Sequence, residues 1–449
     1  MGWLTGWDPE DEDAWNRGGH RVARRNLVYS VLSEHVGFSV WTLWSVLVLF
    51  MSPEIGFGFD PGEKFLLVAV PTVVGSLLRL PYSAAVTRFG GRSWTVFATA
   101  VLLVPTMLAL YFVQRPGTPL WVFLAIAALA GLGGGNFASS MTNITAFYPR
   151  RRQGWALGLN AGGGNLGVAA VQLVGLAVVS VVGTAHPSHV AAVYLPLIVA
   201  VALLAAWKMD NVDAVRTAPG AQREAARDRD TWWICILYIG TFGSFIGYGV
   251  ALGLILQNEF GISPLEAVGY TFLGPLLGSL SRPLGGRLAD RLGGARVTYG
   301  NFLGMAAGTI VLLVVSWVNS FGLFVAGFVG LFVLSGIGNG STYKMIPAVF
   351  ARRAEDEIAA GQDTATAFAR ARRLSGAVVA IAGAVGGLGG AAINVVFKLS
   401  YADGSGSGTP AFLAFLAYYA LCVLLIRTVY LPRKPAASGH ADVAEEARV

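Results

Sequence analysis

Long apolar runs alternate with short polar, mostly basic stretches along the whole chain. Runs near 28–51, 65–85, 94–113, 119–147, 155–181 and 191–207 approach the ~20 apolar residues needed to cross a bilayer. Six more follow near 231–256, 265–284, 297–317, 321–350, 374–397 and 410–430. Backbone groups in lipid must bond within their own segment, so such runs predict helices. The pattern predicts an all-α membrane protein of twelve transmembrane helices. The stretch 208–230, rich in Ala, Arg and Asp, interrupts the series. It divides a first six-helix bundle at 28–207 from a second at 231–430. Residues 1–27 form a polar leading segment, and 431–449 are small and polar enough to read as a disordered tail.

Composition sharpens this picture. Of 449 residues, 55% are hydrophobic and only 13% charged, against about one quarter charged in a soluble domain. A soluble enzyme or scaffold is excluded. The 58 glycines suit helices that approach closely in lipid. Basic residues then set the topology. Of 32 Lys and Arg, three (Lys64, Arg115, Lys398) fall beyond the far ends of the runs, and four (Arg79, Arg282, Lys344, Arg427) fall inside them. The remainder lie on the side of both termini, which is therefore cytoplasmic. The net charge of +7 is a topology signal and implies no nucleic-acid partner. The acidic run Asp8–Asp13 follows a start without a basic segment, which is unlike a cleaved signal peptide. The two cysteines, Cys235 and Cys422, both fall in apolar runs, so neither a disulfide framework nor a metal site is expected. No cofactor is implied.

The halves repeat. Arg79 and Arg282 are 203 positions apart, as are Phe147 and Phe350, each of which precedes a basic cluster. The runs Gly131-Leu132-Gly133 and Gly336-Ile337-Gly338 have nearly the same offset. Two pseudo-symmetric halves around a midplane site describe the major facilitator architecture. The loop Gly285–Arg296, containing Gly286-Arg287-Leu288-Ala289-Asp290-Arg291, resembles the G-x-L-A-D-R-x-G loop of that superfamily.

Candidate chemistry begins with the two arginines. Arg79 lies deep in its run, in Leu77-Leu78-Arg79-Leu80-Pro81-Tyr82, and Arg282 lies at a similar depth in Leu280-Ser281-Arg282-Pro283. Charges at this depth are costly and usually face a cavity with a function; snorkelling to the interface is the bland alternative for Arg282. No Asp or Glu in either run lies at comparable depth. Two guanidiniums without a carboxylate form an anion site, with planar donors suited to a flat oxyanion.

Glycine and small polar residues then dominate four helices. The runs are Gly131–Ile144, Gly158–Gly167, Gly336–Lys344 and Gly383–Gly390. They read either as packing or as the wall of a path, and the interleaved Asn and Ser favour the wall. The string Gly131–Gly167, with Phe147-Tyr148-Pro149-Arg150 in its middle, resembles the nitrate signature of the nitrate/nitrite porter family, the NarK type. Gly336–Pro347 resembles its second signature, and Trp7–Asp11, Arg25-Asn26-Leu27 and Phe38–Trp41 are also similar to that family. The resemblance covers all twelve runs.

The resemblance implies a transporter of nitrate and nitrite working as a monomer in the inner membrane. It implies that Arg79 and Arg282 clamp the anion, Phe137 stacks on it, Asn165 contacts it, and Tyr238 and Phe242 wall the pocket. Without it, Phe137 and Phe242 read as core. The signatures would line or pack the path through Gly133, Gly135, Asn136, Ser139, Asn143, Gly162, Gly164, Gly338, Asn339, Gly340, Tyr343 and Lys344, the last a third buried charge. An empty carrier must occlude two like charges, which favours nitrate/nitrite antiport. The alternative is proton-coupled nitrate symport, for which Glu34 and His35 are the candidate groups; the bland reading places them at the cytoplasmic interface. An organic-anion or drug transporter of the same fold ranks below both.

Overall fold

The computed structural model describes residues 3–213, 220–402 and 407–432; the tail expected beyond 432 and positions 214–219 of the linker lie outside them. Helices account for nearly all of it. The first half of the chain carries α1 (Glu12–Phe50), α2 (Pro61–Phe89), α3 (Gly91–Phe112), α4 (Leu120–Phe147), α5 (Arg150–Val182) and α6 (Ser188–Lys208). The second carries α7 (Arg229–Phe260), then α8 as two pieces (Pro264–Thr271 and Leu273–Leu292). It ends with α9 (Gly294–Trp317), α10 (Phe321–Ala359), α11 (Thr364–Ala402) and α12 (Thr409–Tyr430). Eleven of these are long and apolar enough to cross a membrane. The segment α8, broken at Phe272 and carrying Arg282, Arg287, Asp290 and Arg291, is not among them.

Local chemistry sets where helices begin and bend. Asp60 caps α2: its carboxylate accepts from the Glu63 amide at 2.8 Å while the Glu63 carboxylate accepts from the Asp60 amide at 3.0 Å. Gly90, at φ 86°, ends α2 in a conformation that side chains avoid. Helix α7 contains one π-helical turn, Ile239–Gly243, a feature often found at functional sites. It falls between Tyr238 and Ser244.

Glycines let the helices meet backbone to backbone. A Cβ on Gly133 would stand 2.1 Å from the Gly37 carbonyl, so α4 lies directly on α1. In the second half, a Cβ on Gly340 would stand 2.2 Å from the Arg282 carbonyl, so α10 lies directly on α8. Between the halves, α2 runs along α11 and α5 runs along α8.

The all-α expectation needs one amendment. Trp3–Leu4 pairs as a short parallel strand with Asn211–Val212. The Trp7 indole N–H donates to the Ala146 carbonyl at 3.0 Å, and Asp210 accepts from Arg25 at 2.6 Å and Asn26 at 2.8 Å. The leading segment is therefore strapped to the first half, tying its start to the beginning of the linker. These polar contacts join residues far apart in sequence, with no local pattern to announce them.

Gly340→Val should cost about 1–3 kcal/mol or more, the usual penalty for overpacking, because its side chain would meet backbone. The control Gly322→Ala points into open space and should be neutral. Thermal melting of the detergent-purified protein checks this; equal melts for the two variants would refute the close approach.

Candidate functional site

Arg79 is the centre of the site. Its side chain is 1% exposed in the middle of the bundle. Nη1 donates to the Gly383 carbonyl of α11 at 2.7 Å, while Nε and Nη2 find no acceptor in the protein. The guanidinium carbon lies 4.7 Å from the Phe137 ring centroid and 4.9 Å from that of Phe242. One ring comes from α4 and the other from α7, so the cation is sandwiched between the two halves of the chain. Trp41 of α1 closes a third side at 5.8 Å.

Arg282 stands on the other side of a short aromatic bridge. Tyr238 stacks on Phe242 with centroids 5.2 Å apart and planes at 16°. The Tyr238 hydroxyl lies 3.5 Å from Arg282 Nη2, and the Tyr343 ring lies 5.6 Å from its guanidinium carbon. Nη1 of Arg282 is buried without a protein acceptor. The two cations are close enough to feel each other's charge. The structure therefore brings together Arg79, Arg282, Phe137, Tyr238, Phe242 and Tyr343. Buried donors without acceptors cost free energy, and an anion with several oxygens supplies what they lack.

Other expected residues take varied positions. Asn165 on α5 is 1% exposed with neither amide atom bonded to protein, and no bond ties it to the arginines. Asn136 packs against Gly37 and leaves its Oδ1 unbonded; Asn339 Oδ1 is likewise unbonded. Gly162 faces open space, whereas Gly135 packs on Tyr82 and Gly338 on Asn301. Ser139 bonds within its own helix, to the Asn136 carbonyl. Asn143 packs on Gly91 at the start of α3, apart from the aromatic sandwich.

One expectation is corrected. Lys344 is no buried charge: its side chain is half exposed and its ammonium pairs with Asp290 at 2.9 Å. The acidic residue of the Gly286–Arg291 motif, which lies in the last turns of α8 and not in a loop, reaches it. Glu34 is fully buried on α1, accepting from Ser140 of α4 and, at 2.7 Å, from Asn160 of α5. His35 is half-buried, with Nδ1 3.1 Å from the Gly163 carbonyl. Sequence reasoning missed Trp41 and the Gly383 carbonyl at the arginine, and Ser140 and Asn160 around Glu34. The glycine run Gly383–Gly390 was the available signal for the second of these.

Such a bundle, with a buried cationic site at the seam of its halves, has the layout of a membrane carrier. Residues 36–392 match the Major Facilitator Superfamily, and the chain belongs to it. In fold it is similar to a D-xylose-proton symporter, with TM-score 0.66 and 14% identity over 91% of this chain and 98% of that one. It is similar also to the xylose transporter XylE from E. coli in a partially occluded inward-open conformation, with TM-score 0.67 and 13% identity over 92% and 99%. Sequence similarity is narrower in scope. The chain is 38% identical over 453 residues to the nitrate/nitrite transporter NarU of Salmonella typhimurium, covering 96% of this chain and 97% of that one. NarU of Escherichia coli is also 38% identical, over 96% of both. The probable nitrate/nitrite antiporter NarK2 of Thermus thermophilus is 34% identical over 78% of this chain and 84% of its own. Within the superfamily, the chain is a member of the NarK-type nitrate/nitrite porters.

Because the Lys344–Asp290 pair is half exposed, it should contribute no more than about 1 kcal/mol. Lys344→Met should therefore leave anion affinity near wild type in a binding titration. A tenfold loss would return Lys344 to the site.

Proposed function

We propose that the protein carries nitrate and nitrite across the plasma membrane by alternating access, acting as a monomer. The observation that carries this reading is the set of buried, unanswered donors: Nε and Nη2 of Arg79 and Nη1 of Arg282. A planar anion with three acceptor oxygens can take bonds from both guanidiniums while lying against Phe137, Phe242 and Tyr238. The relatives named for nitrate and nitrite support the choice of anion. In this reading α8 is the twelfth span, both termini are cytoplasmic, and two six-helix halves rock about the arginines. Asn165, buried with its amide unbonded to protein, serves in this reading as a further contact.

Exchange follows from charge. Closing an empty carrier would occlude two guanidiniums away from water, whereas a bound anion neutralises part of that charge. Nitrite can then replace nitrate on the return step. A second reading, proton-coupled symport, is favoured by one observation: Glu34 is fully buried and lies within electrostatic reach of both arginines. An organic-anion carrier would need a roomier apolar pocket, and bulky anions should fail to compete with nitrate. Nothing in the site calls for a nucleophile, so transport rather than catalysis is the reading.

The test is nitrate uptake into proteoliposomes loaded with nitrite. Arg79→Lys keeps the charge but loses the planar fork. It should reduce uptake about tenfold or more, since a bond to a charged group is worth about 1.5–3 kcal/mol. Wild-type uptake in that variant, or none by the folded parent protein, would remove this assignment.

A further inference from the structure

Three buried acidic side chains stand out among the described residues: Glu34, Asp210 and Asp230. Asp210 and Asp230 are ion-paired with Arg25 and Arg353 near helix ends. Glu34 lies at the core of the first half and has only neutral donors at bonding distance. Its Oε2 takes the bonds from Ser140 and Asn160. Its Oε1 has no donor and lies against Gly164, where a Cβ would stand 2.2 Å away. The backbone of α5 thus makes room for this carboxyl. The residue 203 positions later, at the matching place in the repeat, is Leu237, fully buried. The fold does not require an acid there.

The charged and titratable groups facing Glu34 come from several helices. Arg79 of α2 and Arg282 of α8 act on it through space, and it in turn acts on Tyr343 of α10. Helices α4 and α5 bring Ser140, Asn160 and Gly164 against it. Beside it on α1, His35 turns to the Gly163 carbonyl. The ionised form of Glu34 is therefore supported by the bonds from Ser140 and Asn160 and by the field of the two guanidiniums. When an anion sits between them, their field is cancelled and a buried carboxylate becomes costly. Anion and proton binding then favour one another, and by linkage the coupling is reciprocal.

Resting on the transport reading above, we propose that Glu34 is a proton-binding site loaded together with the anion, so that one proton crosses with each nitrate. Charge matching makes the cycle possible. The loaded carrier, with Glu34 neutral, and the empty carrier, with Glu34 ionised, both hold one net positive charge on these groups. Only an empty carrier with Glu34 protonated leaves both guanidiniums uncompensated. The proton joins a Glu34 oxygen on one side of the membrane and leaves it to water on the other, with no other bond made or broken. Exchange of nitrate for nitrite needs no proton step, because Glu34 stays neutral throughout. One site therefore supports both exchange and net symport.

The experiment uses the full chain in proteoliposomes, empty or nitrite-loaded, with or without an acidic exterior. Wild type should accumulate nitrate in empty vesicles under a pH gradient, and an imposed potassium-diffusion potential should not change the extent. Glu34→Gln, held in the neutral form, should retain nitrite-driven exchange but lose accumulation in empty vesicles; Glu34→Asp should restore it. The proposal is overturned if Glu34→Gln accumulates nitrate as wild type does. It is overturned too if wild type exchanges but never accumulates, or if accumulation follows the membrane potential. Should Glu34→Gln lose exchange as well, Glu34 is structural and the proposal falls. A wild type that does neither would sink the transport reading itself.

Discussion

The guanidinium of Arg79 belongs to the first half of the chain by its backbone and to the second by its contacts. Its hydrogen bond to the Gly383 carbonyl and its place between Phe137 and Phe242 fix α2, α4, α7 and α11 about one point. An isolated buried charge would cost several kcal/mol, so much of the surrounding architecture follows from accommodating it. The glycines of α11 are part of that accommodation. A Cβ on Gly387 would lie 2.2 Å from Ser76 Oγ, one helical turn from Arg79. Side chains there would push α11 away and break the bond to Gly383. The donors that remain unanswered are the ones an anion can use.

The repeat places arginines at matching positions, yet the two are not equivalent. Arg79 is sealed between aromatic faces, whereas Arg282 is partly exposed, with a long contact to the Tyr238 hydroxyl and the Tyr343 ring beside it. The carboxyl of Glu34 has a leucine for its counterpart. The asymmetry has a physical use. A tightly held cation can register which half it touches, while a looser one can follow the anion as the cavity opens.

Much of this was legible in the residues. Apolar runs announced the helices because lipid leaves the backbone no other partner, and the same logic made two buried arginines conspicuous. Depth in a run was a sound guide for Arg79. It misled for Lys344, because a helix that extends well past the apolar run, to Ala359, carries a lysine near the polar layer where Asp290 can meet it. For Glu34, depth in the run left a proton-coupling role and an interfacial pair both open. The regular helix carrying it begins at His20, after a kink at Gly18, and α4 and α5 cover the carboxyl. The strap between Trp3–Leu4 and Asn211–Val212 could not be read at all, and for the carbonyl at Gly383 only the surrounding glycine run gave a hint. Backbone groups carry no sequence signature of their partner.

The seam between the halves shows how such a carrier can move. Besides the contacts at Arg79, some of those joining the halves lie at helix ends away from the termini. Thr271 donates to Gln172 at 2.8 Å, which in turn donates to Ser45 at 2.6 Å, and Gln257 donates to the Leu49 carbonyl at 3.3 Å. Phe65 stacks on Phe397 and Tyr401 at 5.7 and 5.5 Å. Each hydrogen bond is worth about 0.5–1.5 kcal/mol net, and each aromatic pair about the same. The whole latch therefore amounts to a few kcal/mol. That is the scale on which a ligand must discriminate between two conformations to move their populations. A latch of covalent or densely apolar character would be too strong for an anion to open. Small polar groups and two ring stacks leave the energy of these contacts comparable with the electrostatic gain of seating one anion between two arginines.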